Sequence, residues 1–224
     1  MKTKRIPSVF GEPSRSSYEI ANTLSKNSSI LIPDGYDGLN VFPFLRKGHL
    51  VTTFEPDVLF IEGEEILNPH SIYGLNKRIE ITDYKKNIRI ENKNFYTSKA
   101  YKKYDHVFVY KSLHRECNNI VSLKYKINKL MRAVNENGSI YIYYYLPIDD
   151  QYNVNSYPKY DEIKSYFSDK EWIIKSSKVF VSVIQDKSYY NDDKDSFHKI
   201  GYIHAKRKPV KHIYRFNISI GLKY

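Results

Sequence analysis

The chain predicts an α/β fold: a doubly wound, mostly parallel sheet with helices on both faces and an antiparallel edge near the C-terminus. Three observations lead there. Apolar strand-like runs alternate with stretches of helical periodicity along most of the length. Residues 30–55 read as strand, glycine turn, helix, glycine stop, strand and acid in one unbroken unit. The last two strand-like runs, 179–184 and 198–206, are joined without a helix between them, which requires an antiparallel pair.

The unit at 30–55 organises the rest. Ile30-Leu31-Ile32-Pro33 is a short buried-type strand that runs into Asp34-Gly35-Tyr36-Asp37-Gly38. A helix is expected over 39–47, stopped by Gly48, a residue that takes the left-handed cap conformation without cost to a side chain. Leu50-Val51-Thr52-Thr53-Phe54 is the second strand and closes on Glu55. In a parallel sheet the turn after the first strand faces a ligand, and an acid after the second meets a ribose diol.

Before that unit lies an irregular lead-in and a helix opened by Ser14 or Ser16, with Tyr18, Ala21 and Leu24 at helical spacing. After it, Pro56-Asp57 breaks the strand and residues 58–75 are expected to hold a helix. Residues 77–82 and 88–90 read as short strands. Tyr104-Asp105 leads a strand to Tyr110, followed by Lys111-Ser112-Leu113-His114-Arg115. A helix is expected over 119–134 with Ile120, Leu123, Ile127, Leu130 and Met131 on one stripe. Asn135 to Gly138 reads as a stop and turn, 139–146 as a strand rich in Ile and Tyr, 161–167 as a helix, and 172–174 as strand material. Residues 185–197 read as an exposed loop, and 210–224 as a basic tail with an apolar centre. The expected division is one domain over 1–208 and a basic extension over 209–224.

At 224 residues the chain is long enough to bury a core, and 41% hydrophobic content is that of a folding chain. A single cysteine, Cys117, excludes an internal disulfide framework and suits a reducing compartment. The absence of an apolar run near Met1 and of any run of about 20 apolar residues gives a soluble, cytoplasmic protein as the expectation, with no membrane partner. The histidines show no metal-ligand spacing, so no metal is expected. The net charge of +11 is concentrated. Residues 76–132 hold fifteen Lys and Arg against five acids, and 199–224 hold seven and none. Two explanations stand side by side: surfaces for nucleic acid or an acidic partner, or a lysine-rich codon usage that also favours Asn, Ile and Tyr.

The order of these elements resembles the class I S-adenosylmethionine-dependent methyltransferases, nearest to the small-molecule branch with the tellurite-resistance and thiopurine-type enzymes. Residues 30–40 with Phe44, Gly48-His49, Val51-Thr52 and Glu55 look like the family's first motif and second strand. Tyr104-Asp105 through His114 is similar to its fourth motif, and Gly201 to Lys206 to its closing strand. The resemblance implies a Rossmann-like, seven-stranded sheet, S-adenosyl-L-methionine as cofactor, and methyl transfer to an acceptor that it does not identify. It also implies that Asp34, Gly35, Tyr36 and Gly38 line the cofactor's methionine end and that Glu55 binds its ribose. Asn94 and Phe95 fall at the adenine, and Lys111 and Ser112 at the floor between cofactor and acceptor. The pattern departs from the family's acid-x-Gly-x-Gly-x-Gly. In one register the acid is replaced by Ile32 and two glycines by Asp34 and Tyr36; in the other Asp34 is the motif acid and the strand is shorter. These departures carry a second reading: a methyltransferase-like fold without catalysis, serving as a binding or regulatory subunit that contacts RNA or DNA through its basic segments.

Overall fold

The computed structural model describes residue 8 and residues 10–64, 72–99, 102–147, 157–185 and 195–210. The sheet has seven strands: β1 (Ser29–Ile32), β2 (Leu50–Phe54), β5 (Ile88–Glu91), β6 (Tyr104–Tyr110), β7 (Val134–Leu146), β8 (Trp172–Gln185) and β9 (Asp195–Arg207). Their order is β5-β2-β1-β6-β7-β9-β8. Every pair from β5 to β7 is parallel, while β7–β9 and β9–β8 are antiparallel. The doubly wound sheet with its antiparallel edge is therefore as expected. A separate ribbon pairs β3 (Gly63–Glu64) with β4 (Ile72–Tyr73).

Two cores flank the sheet. On one face Leu31, Val107, Val109, Ile140, Ile142 and Tyr144 meet Ile127 and Leu130 of α5 (Leu123–Arg132) and Ile163 of α6 (Tyr160–Ser165). On the other, Ile30, Ile32, Phe108, Tyr141 and Tyr143 meet α1 (Arg15–Thr23), α2 (Phe42–Arg46) and α4 (Leu75–Thr82) through Ile20, Phe44 and Ile79. Alternation along β7 thus sends Tyr144 to one core and Tyr143 to the other, as the two-residue period of a strand requires. Ser14 caps α1 through Ser17 N–H, and Ser122 caps α5 through Tyr125 N–H.

Several expected elements are corrected. Residues 77–82 are not a strand but most of α4. The helix expected over 39–47 is shortened to Phe42–Arg46, because Pro43 fits only its first turn. The helix expected over 119–134 starts at Leu123, and Ile120 lies 69% exposed, off its stripe. The stop and turn at 135–138 lies inside β7, where Asn137 is left-handed and the pairing with β6 shifts register. The two strand segments at 172–174 and 179–184 are one strand, β8, with an irregularity between Ile174 and Ser176. The expected helix over 58–75 is α3 (Val58–Glu62) followed by β3, and 65–71 lies outside the described residues. The expected loop at 185–197 gives way to β9 from Asp195; residues 186–194, and the tail from 211, are likewise outside the described residues. Among the described residues no helix is long and apolar enough to cross a membrane.

Candidate cofactor site

Parallel strands end together, so β1, β2 and β6 deliver three loops to one edge of the sheet. β1 stops at Ile32, and Asp34 therefore belongs to the turn and not to the strand. The turn is tied down by Gly35 N–H to Phe54 O at 2.9 Å and Gly38 N–H to Gly35 O at 2.9 Å. Gly38 has φ +93°, and a Cβ there would stand 2.6 Å from Leu75 Cδ1 and 2.8 Å from the Phe42 ring. Its close approach is to α2 and α4 as much as to any ligand. Tyr36 also takes a left-handed backbone, φ +48°, where a glycine costs nothing and a tyrosine costs about 1 kcal/mol or more.

Two acids sit at this edge. Glu55 is fully buried, and its carboxylate accepts from Tyr36 N–H at 2.8 Å and Asp57 N–H at 3.0 Å. Arg115, five residues beyond β6, reaches across to grip both its oxygens, Nη1 at 2.9 Å and Nη2 at 3.0 Å. The same Nη1 lies 3.2 Å from Asp34 Oδ1. This paired-fork geometry is the strongest form of a guanidinium–carboxylate contact. The guanidinium also lies over the Tyr36 ring, 4.2 Å from its centroid, and 5.9 Å from that of Phe60. Phe10, Tyr36 and Phe60 form a three-ring cluster with centroids 5.2–5.7 Å apart.

Asp34 is the less satisfied acid. Its Oδ1 accepts from Arg115 and from Asn118 Nδ2 at 3.1 Å, but its Oδ2 is buried without a hydrogen-bond partner. Ser112 Oγ is beside this carboxyl without completing a hydrogen bond. Burial raises the Asp34 pKa, and Arg115 only partly reverses the shift. For Arg115 itself, burial works against the charge, but the hydrogen bonds to Glu55 outweigh it and hold the group above its usual value.

The loop that presents Arg115 is anchored from three sides. Asn118 Nδ2 also donates to Ser112 O at 3.0 Å, and Lys126 of α5 donates to Leu113 O at 2.7 Å. Asn94 Nδ2 donates to Cys117 O at 2.6 Å and Asn118 Oδ1 at 2.9 Å, while its Oδ1 accepts from Tyr96 N–H. Asn94 thus fastens the loop after β5 to the loop after β6. Phe95 is 1% exposed and packs in the core against Phe54. Lys111 follows β6 with φ +54°, and its ammonium faces the rings of Tyr110 and Tyr145 at 5.1 and 5.3 Å. Burial lowers its pKa to about 8. His114 packs edge-on against Tyr145 and Tyr157, and burial, then Lys126 and Arg115, bring it to about 4.

The structure therefore brings Asp34, Tyr36 and Glu55 together through Arg115, with Gly35 in the same turn and Ser112 beside Asp34. Gly38 packs on α2 and α4, Asn94 ties two loops together, Phe95 is in the core, and Lys111 packs against Tyr110 and Tyr145. Sequence reasoning missed Arg115 and Asn118, which complete the site. Their partners are 60 to 84 positions away, and no local pattern marks such pairs. The fifteen basic residues at 76–132 also divide. Arg78, Arg115 and Lys126 are engaged inside, while Lys77, Lys85, Lys86, Arg89 and Lys93 are exposed around α4 and β5, the parallel edge.

No family model matches the chain, and no curated protein does. Solved structures are similar to it. Superposition on TehB from Haemophilus influenzae gives a TM-score of 0.62 at 15% identity, covering 87% of this chain and 62% of that one. The chain thus spans under two thirds of that protein's length. A TehB-like S-adenosylmethionine-dependent methyltransferase from Corynebacterium glutamicum gives 0.54 at 8% identity, with 86% and 87% covered. An S-adenosylmethionine-dependent O-methyltransferase from Thermotoga maritima gives 0.55 at 14%, with 94% and 70% covered. At such identities the likeness is one of architecture, and on it this chain has the fold of the class I S-adenosylmethionine-dependent methyltransferases, the tellurite-resistance branch included.

Proposed function

We propose that the chain binds S-adenosyl-L-methionine where the ends of β1 and β2 meet and transfers its methyl group to an acceptor, in the reducing cytoplasm that a lone cysteine suits. The observation that carries this reading is Glu55, a fully buried carboxylate at the end of β2, hydrogen-bonded to the backbone of the β1 turn. A carboxylate in that place accepts a ribose diol. The residues fit such a nucleoside in kind: Glu55 for the diol, Asp34 with an unused buried oxygen for a positive group, and Tyr36 offering an aromatic face. Asn94 and Phe95 support the adenine side through the loop after β5, and Lys111 and His114 flank the acceptor side. The cofactor, when bound, supplies the electrophilic methyl. What this chain supplies is position, the main source of rate in an in-line displacement. Calorimetry with S-adenosylmethionine tests the reading: binding is expected, and is lost in Glu55→Ala with circular dichroism unchanged. Absence of binding at millimolar ligand would sink it.

A second reading is favoured by one observation. Arg115 already takes the Glu55 oxygens that a ribose would need. On this reading the fold is kept for binding, with the exposed Lys85 and Lys86, and Arg89 and Lys93 on release from Glu91, making phosphate contacts to RNA or DNA. Binding of that kind weakens steeply with salt, so affinity that is flat from low to high salt would exclude it.

A further inference from the structure

Charge balance at the site constrains its ligand more tightly than its shape does. Two buried carboxylates, Asp34 and Glu55, share one guanidinium. Their side chains are 2% and 0% exposed, so neither is compensated by water. Every acceptor position on Glu55 that faces the site is used, whereas Asp34 Oδ2 has no partner. A ligand that reaches Glu55 must take the place of Arg115. If that ligand were a neutral nucleoside, its hydroxyls would satisfy Glu55 but leave two anions in a dry site with no cation, a costly arrangement. A ligand bearing a fixed positive charge beside its diol replaces both functions of Arg115 at once. The ring of Tyr36, which now carries the guanidinium on its face, is equally suited to a ligand cation.

We propose that Asp34, Glu55 and Tyr36 form a receptor for a cationic nucleoside, that Arg115 is its internal competitor, and that the site therefore prefers a sulfonium nucleoside to the neutral thioether left after methyl transfer. This rests on the methyltransferase reading and adds to it a ligand charge and a residue that sets affinity. The chain would then release its spent cofactor by electrostatics, Arg115 returning to Glu55 once the methyl group has gone to the acceptor and the sulfonium charge, though not the ammonium, has been lost.

The test is calorimetry on the full chain with S-adenosylmethionine, S-adenosylhomocysteine and adenosine, for wild type, Arg115→Met, Arg115→Lys and Asp34→Asn. Arg115→Met should bind S-adenosylmethionine about tenfold tighter or more than wild type. Arg115→Lys keeps a charge but loses the two-pronged grip, and should fall between them; it serves alone if the methionine variant does not fold. Preference for the sulfonium over the thioether should be about tenfold, and should collapse in Asp34→Asn. Equal affinity for the two cofactor forms, or no gain on removing Arg115, overturns the proposal and leaves the methyltransferase reading standing. Selective binding by Arg115→Met with none by wild type keeps the proposal and removes methyl transfer from the native chain. No binding by any folded variant overturns both.

Discussion

The five-residue turn after β1 is held by two buried arginine–carboxylate contacts, and they are built differently. On one side Asp37, fully buried, meets Arg78 of α4 at 3.1 Å, and also accepts from Ser8 Oγ at 2.9 Å and Leu39 N–H at 3.2 Å. Arg78 is 6% exposed, donates to Asp37 O, and lies 4.7 Å from the centroid of the Phe42 ring. That is one acid matched by one base. On the other side two acids share Arg115, and one acid oxygen is left over. The first arrangement matches its charges one to one and ties α4 to the turn. The second is short of a cation or a donor, which marks it as the side built for exchange. Burial also lowers the pKa of Arg78 despite Asp37, whereas Arg115 is held up by its carboxylates.

The largest test of this contrast is stability. Removing one partner of a buried ion pair costs about 3–5 kcal/mol, so Arg78→Met and Arg115→Met should both lower the urea midpoint strongly. They should then part company: saturating S-adenosylmethionine stabilises both by mass action, but Arg115→Met, which binds it about tenfold tighter, gains more than Arg78→Met. Equal behaviour of the two variants with ligand would erase the distinction. Gly38 follows Asp37, and Gly38→Ala meets both a left-handed backbone and the side chains of Leu75 and Phe42. A loss of about 2–3 kcal/mol is expected in the same assay. The smallest effect is on pH dependence. Because Asp34 has a raised pKa in the folded chain, its contribution to stability is full below about pH 4, the unfolded value, and is lost as pH rises toward the folded one. The stability of Asp34→Asn relative to wild type should therefore improve as pH rises from 4 toward neutrality. A pH-independent difference would show that Asp34 titrates alike in the folded and unfolded chain.

Some of this was legible in the chain and some was not, for physical reasons. The 30–55 unit could be read because its signals are local: apolar strands, punctuating glycines and an acid at fixed spacing. Glu55 was placed correctly at the end of β2 for that reason. α4 was misread because one of its three buried positions is Arg78, so the apolar stripe of Leu75 and Ile79 is broken by a charge that only the distant Asp37 neutralises. The turn signal at Asn137-Gly138 is genuine, since Asn137 is left-handed, but it serves a bulge within β7. Tyr36 could be seen as an anomaly in the glycine pattern. That it carries the guanidinium of Arg115 could not, because the two meet only through tertiary folding.

The outer strand β8 has a consequence of its own. It is 14 residues long and, among the described residues, pairs only with β9, so among those residues one row of its backbone amides and carbonyls is left without a strand partner. An open row of this kind is a template for pairing with another chain, and sequences commonly blunt it with lysines and irregularities. The first half of β8 has both, the bulge at Ile174/Ser176 and the exposed Lys175 and Lys178. Val179, Phe180 and Val181 that follow are 40–66% exposed with no charge among them. Val179, Phe180 and Val181 are therefore the apolar part of this rim, far along the chain from the turn after β1.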